Sequence, residues 1–469
     1  MRLTGYPYLI LICITAGLGG FLFGFDTAVI SGAINFLRTQ FALTPAMEGW
    51  LMSSALLGCV GGAAVAGWMS DRYGRKLTLL LSALLFIVSA VWCAVAQMPS
   101  ALVIARIVGG VGVGFAAMVA PLFISELSPA YLRGRLVSVY QLSITLGILC
   151  SYLSNGWLLS IATQGSITGF MHYYMVEEVW RAMLGSNMVP ALLFFLLLLL
   201  APESPRWLIM KKKYDKAGIV LTRINGLEIA KVEMVEIKKT INIKEVNFKE
   251  LFAPQWRTAL LIGIMLPFFS QLSGITTVMY YAPTIFTKAG FEGSSAMGNA
   301  ALIGFFNMIF TLVAIWKIDV WGRKPLLIFG FIGLSIALFF IGWLFYKDGN
   351  STFFIGSFIL YIAVFAATLG PGVWVVISEI YPTKIRGRAM SLATLILFVG
   401  SAFVTQTYPI MRESIGIGFA FMLYAAAMIP AAWFVYRFIP ETKGKTLEEI
   451  EHYWESNHQD KLNSELVKQ

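Results

Sequence analysis

The sequence has few charged residues for its length. Only 13% of its 469 residues are Asp, Glu, Lys or Arg, whereas a soluble globular chain carries about 25%. The hydrophobic fraction is 58% and the mean hydropathy is +0.75. These values exclude an ordinary soluble domain. They indicate an integral membrane protein, in which each helical span needs roughly 20 apolar residues.

Cysteine and histidine, two common metal ligands, are also scarce. The four cysteines lie in apolar stretches of the first half, without paired or metal-ligand spacing, and the three histidines are scattered. The sequence also lacks a recognisable nucleophile–base pair and a phosphate-cradling loop. We therefore expect no metal site, no cofactor and no catalytic residues, so the protein is predicted not to be an enzyme.

The net charge of +10 does not indicate nucleic-acid binding, because the basic residues lie in short loops between apolar stretches. Alternate loops are rich in Lys and Arg, for example around Arg72 and Arg386. The loops between them carry single residues such as Arg38 and Lys288. Cytoplasmic loops of membrane proteins show this enrichment. Both termini are therefore predicted to be cytoplasmic in a multi-pass protein of a lipid bilayer, with no nucleic-acid partner.

Two motifs occur twice in the chain, which indicates an internal duplication. Asp71-Arg-Tyr-Gly-Arg-Lys has a counterpart that begins at Asp319, and Glu126 followed by Arg133-Gly-Arg has a counterpart that begins at Glu379. The offsets, 319 − 71 = 248 and 379 − 126 = 253, are nearly equal. Both motifs are predicted to lie on the cytoplasmic face.

Twelve apolar stretches are predicted to span the membrane as helices, six on each side of a polar segment. They lie near residues 8–34, 48–69, 77–97, 100–124, 137–160, 182–200, 257–286, 297–316, 325–346, 354–378, 389–411 and 417–439. The predicted domains are a first six-helix bundle (1–202), a cytoplasmic helical linker (203–256), a second six-helix bundle (257–440) and a cytoplasmic tail (441–469). The linker and the tail are predicted to form amphipathic helices.

The duplicated motifs bring acids and arginines to one face of the membrane, where they are predicted to form ion pairs between helices. We call this set the cytoplasmic latch, because pairs that form in one conformation and break in another provide a two-state element. Its predicted members are Asp71, Arg72, Arg75, Glu126, Arg133, Asp319, Arg323, Glu379 and Arg386. The alternative interpretation is that these motifs only set the topology.

Together, these motifs resemble the sugar porter family of the major facilitator superfamily. The resemblance also rests on Arg106-x-x-Gly-Gly, on Pro202-Glu-Ser-Pro-Arg206 and on Pro440-Glu-Thr-Lys-Gly444, and it covers nearly the whole chain. It implies an all-α fold of two six-helix bundles around a central monosaccharide site. It also implies transport by alternating access and, as in the proton-coupled bacterial members, location in a bacterial inner membrane.

Two charged residues fall inside predicted spans, Asp26 in span 1 and Arg106 in span 4. Such residues cost about 2.5–3.5 kcal/mol each on insertion scales, so they are functional candidates. From the rise of a helix, Asp26 lies roughly 12 Å and Arg106 roughly 8 Å below the outer face, so the two side chains are predicted to pair. In the proton-coupled members of the family a carboxylate occupies the position of Asp26, which favours proton symport. A static structural salt bridge is the alternative.

A sugar site requires amides, hydroxyls and aromatic faces, which few intramembrane positions supply. The candidates from residue type are Gln141, Gln271, Tyr280, Asn307 and Trp374; Phe23 and the family-matched positions Ile148, Ser270 and Thr276 complete the predicted set. Hydrogen bonding between helices is the alternative role for each polar residue. In addition, Gly274 and Pro283 are predicted to interrupt span 7, and Gly370-Pro371-Gly372 to interrupt span 10.

The match to the family is incomplete at the predicted sugar site. Many members have glutamine at Ser270 and asparagine at Thr276. In span 11, tryptophan is usual at Phe398 and asparagine is common at Ser401. Ile148 follows the glucose-transporting members, whereas a proton-coupled pentose transporter has glutamine there. These departures leave the identity of the sugar open.

Three functions other than proton symport remain as alternatives. A facilitative sugar uniporter would use the same site without a coupling carboxylate. A non-transporting sugar sensor would usually carry a long cytoplasmic tail, whereas only about 30 residues follow the last predicted span. A membrane enzyme has no supporting motif. We expect a monomer whose partners are a monosaccharide, a proton and the bilayer.

Overall fold

The computed structural model describes residues 6–129, 132–165, 168–241, 251–291, 293–347, 351–381, 385–443, 449–450, 452–454 and 456. All regular secondary structure in these ranges is helical. The helices up to the middle of the chain are α1 (Tyr6–Gln40), α2 (Pro45–Tyr73), α3 (Arg75–Val95), α4 (Pro99–Leu127), α5 (Arg133–Gln164), α6 (Phe170–His172), α7 (Val179–Gly185), α8 (Met188–Leu200), α9 (Pro205–Met210), α10 (Tyr214–Asn225) and α11 (Leu227–Ile241).

The remaining helices form the second half of the chain. They are α12 (Arg257–Leu272), α13 (Ile275–Lys288), α14 (Gly293–Trp321), α15 (Arg323–Tyr346), α16 (Ser351–Ala367), α17 (Leu369–Ile380), α18 (Arg386–Ser414) and α19 (Ile417–Phe438). Within the described ranges, twelve segments are long and apolar enough to cross a membrane, six on each side of the linker. The predicted all-α fold with twelve transmembrane helices is confirmed.

Span 7 is interrupted between α12 and α13, where Gly274 has a φ of +76°. Residues with a Cβ rarely adopt this backbone conformation. A Cβ built at Gly274 would also lie 2.8 Å from the ring of Tyr424. Both the backbone conformation and the close packing therefore require glycine, and the predicted break at this residue is confirmed.

The predicted break at Pro283 is wrong, because α13 continues through this residue. Proline has no backbone N–H, so it leaves the carbonyl four residues earlier without its helical partner. That carbonyl belongs to Met279, and the Tyr152 hydroxyl of α5 donates to it at 2.6 Å. A side chain of a neighbouring helix thus replaces the hydrogen bond that the proline removes.

The break in span 10 lies at Thr368, two residues before the predicted Gly370-Pro371-Gly372. Thr368 has φ −123° and ψ −73°, outside the helical values. Pro371 then lies in the first turn of α17, where backbone N–H groups have no partner within the helix and proline is tolerated. The predicted position is therefore wrong by two residues, although an interruption of the span is present.

Close helix contacts position the charged residues of the first half. A Cβ at Gly24 of α1 would lie 1.9 Å from the carbonyl oxygen of Ile144 in α5, and one at Gly110 of α4 would lie 1.9 Å from that of Ala55 in α2. Small residues allow such backbone approach in membranes, where packing drives helix association. Asp26 and Arg106 thus lie near tightly packed crossings of α1 with α5 and of α2 with α4.

The chain folds into two compact units. Unit 1 comprises Met1–Lys244, Val278–Met308 and Thr405–Pro409, and unit 2 comprises Glu245–Thr277, Ile309–Val404 and Ile410–Gln469. Unit 1 therefore includes α13 from Val278 onward and the first part of α14. The domain boundaries drawn from the sequence repeat stay a prediction.

Short helices follow α8, as the polar composition of the linker predicts. In α9 to α11, the buried residues Trp207, Leu208, Ile209 and Ala217 form a small apolar core. The predicted amphipathic helix of the tail lies largely outside the described residues. Of its described part, Trp454 is buried and donates from its indole N–H to the carbonyl of Ile380 at 2.9 Å.

Candidate functional site

A buried ion pair lies in unit 1 between α1 and α4. Arg106 Nη1 is 3.8 Å from Asp26 Oδ1, and the two residues are 3% and 8% exposed. An isolated charge in this environment costs several kcal/mol, so the opposite charges stabilise each other. The two residues that the sequence predicts to lie at similar depths in the membrane are therefore close together in the structure. Their role in proton coupling stays a prediction.

A third residue, which the sequence analysis missed, completes this group. The side-chain amide of Asn187, between α7 and α8, donates to Asp26 Oδ1 at 3.2 Å. The only signal in the sequence is an asparagine within an apolar stretch. The other two nitrogens of the guanidinium, Arg106 Nε and Nη2, are buried without a hydrogen-bond partner in the described structure, as is Asn187 Oδ1.

Tyr280, a predicted sugar-binding residue, lies beside this pair in unit 1. Its side chain is 1% exposed and interacts electrostatically with both Asp26 and Arg106. The same helix α13 is anchored to α1 through Thr284, whose hydroxyl donates to the side-chain oxygen of Asn35 at 3.1 Å. Tyr280 is thus positioned next to the ion pair by a helix that packs directly on α1.

A second polar group lies in unit 2 at the break in span 7. The side-chain oxygen of Gln271 accepts hydrogen bonds from the Thr276 hydroxyl at 2.7 Å and from the Ser401 hydroxyl at 2.9 Å. Two of the departures from the family pattern, Thr276 and Ser401, therefore contact the same amide. Because both donors hold the oxygen, the Gln271 nitrogen remains available to donate to a ligand.

The other predicted sugar-binding residues are distributed over both units. In unit 1, Phe23 of α1 and Gln141 of α5 are half-buried, while Ile148 of α5 and Asn307 of α14 are buried; in unit 2, Ser270 of α12 is buried and Trp374 of α17 is half-buried. Each lies on a membrane-spanning helix. Their combination into one sugar site stays a prediction.

The first copy of the latch motif forms a compact cluster within unit 1. Glu126 accepts from Arg75 Nε and Nη2, both at 3.1 Å, and from the Ser204 hydroxyl. Glu203 accepts from the backbone N–H groups of Arg75 at 3.0 Å and Lys76 at 3.2 Å, at the start of α3. A carboxylate in this position is favoured by the positive end of the helix dipole.

The second copy repeats this arrangement inside unit 2. Glu379 accepts from Arg323 Nη2 at 2.9 Å and from the Thr442 hydroxyl. Glu441 accepts from the backbone N–H groups of Arg323 at 3.0 Å and Lys324 at 3.1 Å, at the start of α15. The two family motifs Pro-Glu-Ser and Pro-Glu-Thr thus have equivalent roles, which the sequence analysis did not assign to them.

The two capping carboxylates differ in their electrostatic environment. Burial raises the pKa of Glu203, against the effect of the N–H groups that donate to it. Burial also acts to raise the pKa of Glu441, but the more exposed site and four backbone donors lower it overall. Glu441 is therefore the stronger acid, and Glu203 is the cap that protonates first as the pH falls.

The remaining latch candidates are placed differently. Asp71 is half exposed and lies 2.9 Å from Arg75 Nη1. The Arg72 guanidinium lies 5.4 Å from the ring centroids of Trp68 and Tyr73, and its role in the latch stays a prediction. Arg386 begins α18. The side chains of Arg133 and Asp319 lie outside the described structure.

The described residues contain no group of three or more His, Cys, Asp or Glu side chains that could hold a metal ion. What they do contain is a buried proton-titratable pair in one unit, a polar amide group at a helix break in the other, and matching ionic clusters. This combination suits ligand binding and conformational change.

Comparison with known proteins identifies the family. A family model described as sugar (and other) transporter matches residues 12–454. The chain belongs to the sugar transporter family. This sugar transporter is 41% identical to the arabinose-proton symporter of Bacillus subtilis (strain 168) over 95% of each chain. It is 37% identical to the D-xylose-proton symporter of Escherichia coli (strain K12) over 96% of each chain.

Solved structures agree with this assignment. The inward-open conformation of the xylose transporter XylE from E. coli is 36% identical in sequence, with a TM-score of 0.83 over 95% of this chain and 100% of that chain. XylE bound to 6-bromo-6-deoxy-D-glucose, described as a major facilitator superfamily proton:xylose symporter, has a TM-score of 0.79 over 96% and 100% of the two chains. The predicted membership of the sugar porter family is confirmed, and the family is one of transporters.

The cluster around Arg75 in this sugar transporter allows a matched test of buried and exposed charges. Glu126→Gln is expected to lower the free energy of unfolding by about 1.5–3 kcal/mol, because it removes a buried charge-assisted hydrogen bond. Asp71→Asn removes the half-exposed partner of the same arginine and should cost at most about 1 kcal/mol. Unfolding of the purified variants in detergent, followed by circular dichroism, measures both values.

The same variants test the cytoplasmic latch. If Glu126 helps to keep the cytoplasmic side closed, Glu126→Gln should increase the labelling of cysteines introduced on the cytoplasmic side of the transport path. Asp71→Asn serves as the control. The latch would be contradicted if the two variants had equal free energies of unfolding and were labelled like the parent protein. The motif would then serve only to set the membrane topology.

Proposed function

We propose that this protein is a proton-coupled monosaccharide symporter that works by alternating access. The single observation that carries the proposal is the buried Asp26–Arg106 pair, with 3.8 Å between Oδ1 and Nη1. A carboxylate inside a membrane span is energetically costly, so its presence there indicates a function. The proton symporter names of the arabinose, xylose and galactose relatives support the same assignment.

Coupling follows from the change in charge of Asp26. The ionised carboxylate attracts Arg106 and favours the conformation in which α1 and α4 are held together. Protonation removes this attraction and therefore changes the relative free energies of the two conformations. A proton taken up from one side and released to the other provides one coupling event per cycle.

The sugar is proposed to bind through Gln141, Gln271 and Asn307, with Tyr280 and Trp374 supplying aromatic surface. Gln271 is the best supported of these, since two hydroxyls orient its side chain. Phe23, Ile148, Ser270 and Thr276 complete the proposed site. The clusters around Glu126 and Glu379 are proposed to act as the cytoplasmic latch.

The proposed setting is the inner membrane of a bacterium, where an inward proton gradient is available. Both termini are proposed to be cytoplasmic, because the loops rich in Lys and Arg then lie on the cytoplasmic side. The transporter is proposed to act as a monomer in the lipid bilayer.

Uptake by proteoliposomes tests this function. A panel of radiolabelled pentoses, hexoses and polyols, offered with and without an inward proton gradient, should reveal one sugar class that accumulates only with the gradient. Addition of that sugar should also make a weakly buffered medium more alkaline. Equilibration without accumulation or alkalinisation would identify a facilitative uniporter, and failure to transport any sugar would favour a sensor.

A further inference from the structure

Asn187 occupies an interruption in span 6, between the end of α7 at Gly185 and the start of α8 at Met188. The cause of the interruption is Pro190, which has no N–H to donate to the carbonyl of Ser186 four residues earlier. The backbone N–H of Val189 donates to that carbonyl instead, at 3.1 Å. Asn187 is 2% exposed, and its amide is directed to Asp26 rather than to the helix end.

The two partners of Asp26 contact it in different ways. Asn187 Nδ2 is 3.2 Å from Oδ1, which is within hydrogen-bond distance, whereas Arg106 Nη1 is 3.8 Å away, which is beyond it. The arginine therefore supplies mainly an electrostatic field, while the asparagine supplies the directional contact. Asn187 is thus the residue that sets the orientation of the carboxyl group.

The two oxygens of the carboxyl group are not equivalent. Oδ1 takes both contacts, whereas Oδ2 has no hydrogen bond in the described structure and is not among its fully buried polar atoms. The Asp26 side chain is 11% exposed. Oδ2 is therefore the oxygen at which a proton can arrive while Oδ1 stays bound to Asn187.

We propose that Asn187 is a positioning residue of the proton-coupling site, a role that rests on the proposed symport. Its neutral amide donates to Oδ1 of the ionised carboxylate and, more weakly, to the carbonyl oxygen of the protonated acid. Arg106 loses its attraction when Asp26 is neutralised, but Asn187 keeps a hydrogen bond. Asn187 thus holds the carboxyl group in place in both protonation states.

Among the described residues, few titratable groups face Asp26. They are Arg106 of α4, Cys59 of α2, Cys93 of α3 and Tyr280 of α13. Thiols and phenols are ordinarily neutral at pH 7, so the arginine is the charged neighbour among them. Replacement of Asn187 by alanine therefore alters the protonation of Asp26 without altering the charge around it.

The test compares Asn187→Ala with Asn155→Ala in full-length protein in proteoliposomes. Asn155 of α5 is an equally buried amide that also donates to α1, through the carbonyls of Ala28 and Val29, but it has no hydrogen bond to Asp26. Two properties are measured for each variant: counterflow of the transported sugar without a gradient, and the pH dependence of proton-driven uptake.

Asn187→Ala should retain counterflow, while the alkaline limb of its uptake profile moves by about 0.5–1 pH unit to higher pH. The direction follows because the lost donor stabilises the ionised carboxylate more than the neutral acid. Asn155→Ala should leave the position of the limb unchanged. Asn187→Asp places a second acid beside Asp26 and should move the limb further in the same direction.

The outcomes separate this inference from the proposed function. If the parent protein shows no proton-coupled uptake, the symport proposal fails. If the parent is coupled but the profiles of both Asn187 variants match that of the parent, the positioning role alone is overturned. Loss of counterflow in both variants would assign Asn187 a purely structural role and would overturn the inference as well.

Discussion

Asp26→Asn is expected to abolish proton-driven accumulation of sugar while exchange without a gradient persists. Asparagine is close in size to the protonated acid, so the helix packing around α1 remains, but it cannot release a proton. The variant should then equilibrate sugar across the membrane without concentrating it. Proteoliposomes that are acidic outside provide the measurement, through the ratio of internal to external sugar with time.

Glu48→Gln is the matched control for Asp26→Asn. Glu48 is 1% exposed and lies in the same unit, with its carboxylate 3.9 Å from the guanidinium of Arg38. It resembles Asp26 in burial and in its arginine partner, yet it is not the proposed coupling group. Its replacement should therefore preserve accumulation. Full concentrative uptake by Asp26→Asn would rule out Asp26 as the coupling residue.

Gln271→Ala is expected to weaken sugar binding by about 1–3 kcal/mol, which corresponds to roughly 5–150-fold in the dissociation constant. The loss is large because the sugar hydroxyls served by this amide would remain buried without a partner. The Thr276 and Ser401 hydroxyls would also lose their shared acceptor. Calorimetric titration of the purified protein with the transported sugar measures the change.

Two serine variants show whether the orientation of Gln271 matters. Ser401→Ala removes one of the two donors to the Gln271 oxygen and should weaken binding less than Gln271→Ala does. Ser335→Ala is the control, because this serine also lies in unit 2 but donates to the carbonyl of Ala425. Unchanged affinity in Gln271→Ala would remove this residue from the sugar site.

The helices were predictable because a membrane span must satisfy its own backbone hydrogen bonds, so length and apolar composition suffice to find it. Interruptions inside spans were less predictable. Gly274 breaks span 7, whereas Pro283 does not, because Tyr152 donates to the carbonyl that the proline leaves free. That donor lies 127 residues from Met279 in the sequence, and no local pattern reveals it.

The charged pair of the candidate site was also accessible from sequence, since the depth of a residue in a span follows from the helical rise. Asn187 was not, because a neutral amide in an apolar stretch has no distinctive signal. Its contact with Asp26 depends on the interruption of span 6 near Pro190 and on the packing of α8 beside α1.

The ionic clusters, too, were predictable from the sequence only in part. The repeated motifs predicted ion pairs between acids and arginines, and the Arg75–Glu126 pair in unit 1 and the Arg323–Glu379 pair in unit 2 are present. The repeat did not reveal that Glu203 and Glu441 cap the helices α3 and α15. A cap is defined by the direction of backbone N–H groups in space, which the motif alone does not specify.

The sequence by itself determined that this protein is a helical membrane transporter with two related halves, because hydropathy and repeated motifs follow from the order of residues along the chain. Only the tertiary structure decided which polar atoms meet: Asn187 with Asp26, Ser401 with Gln271, and Tyr152 with the Met279 carbonyl. The physical reason is that a hydrogen bond requires a specific distance and direction. Close packing of helices that are distant in sequence sets both.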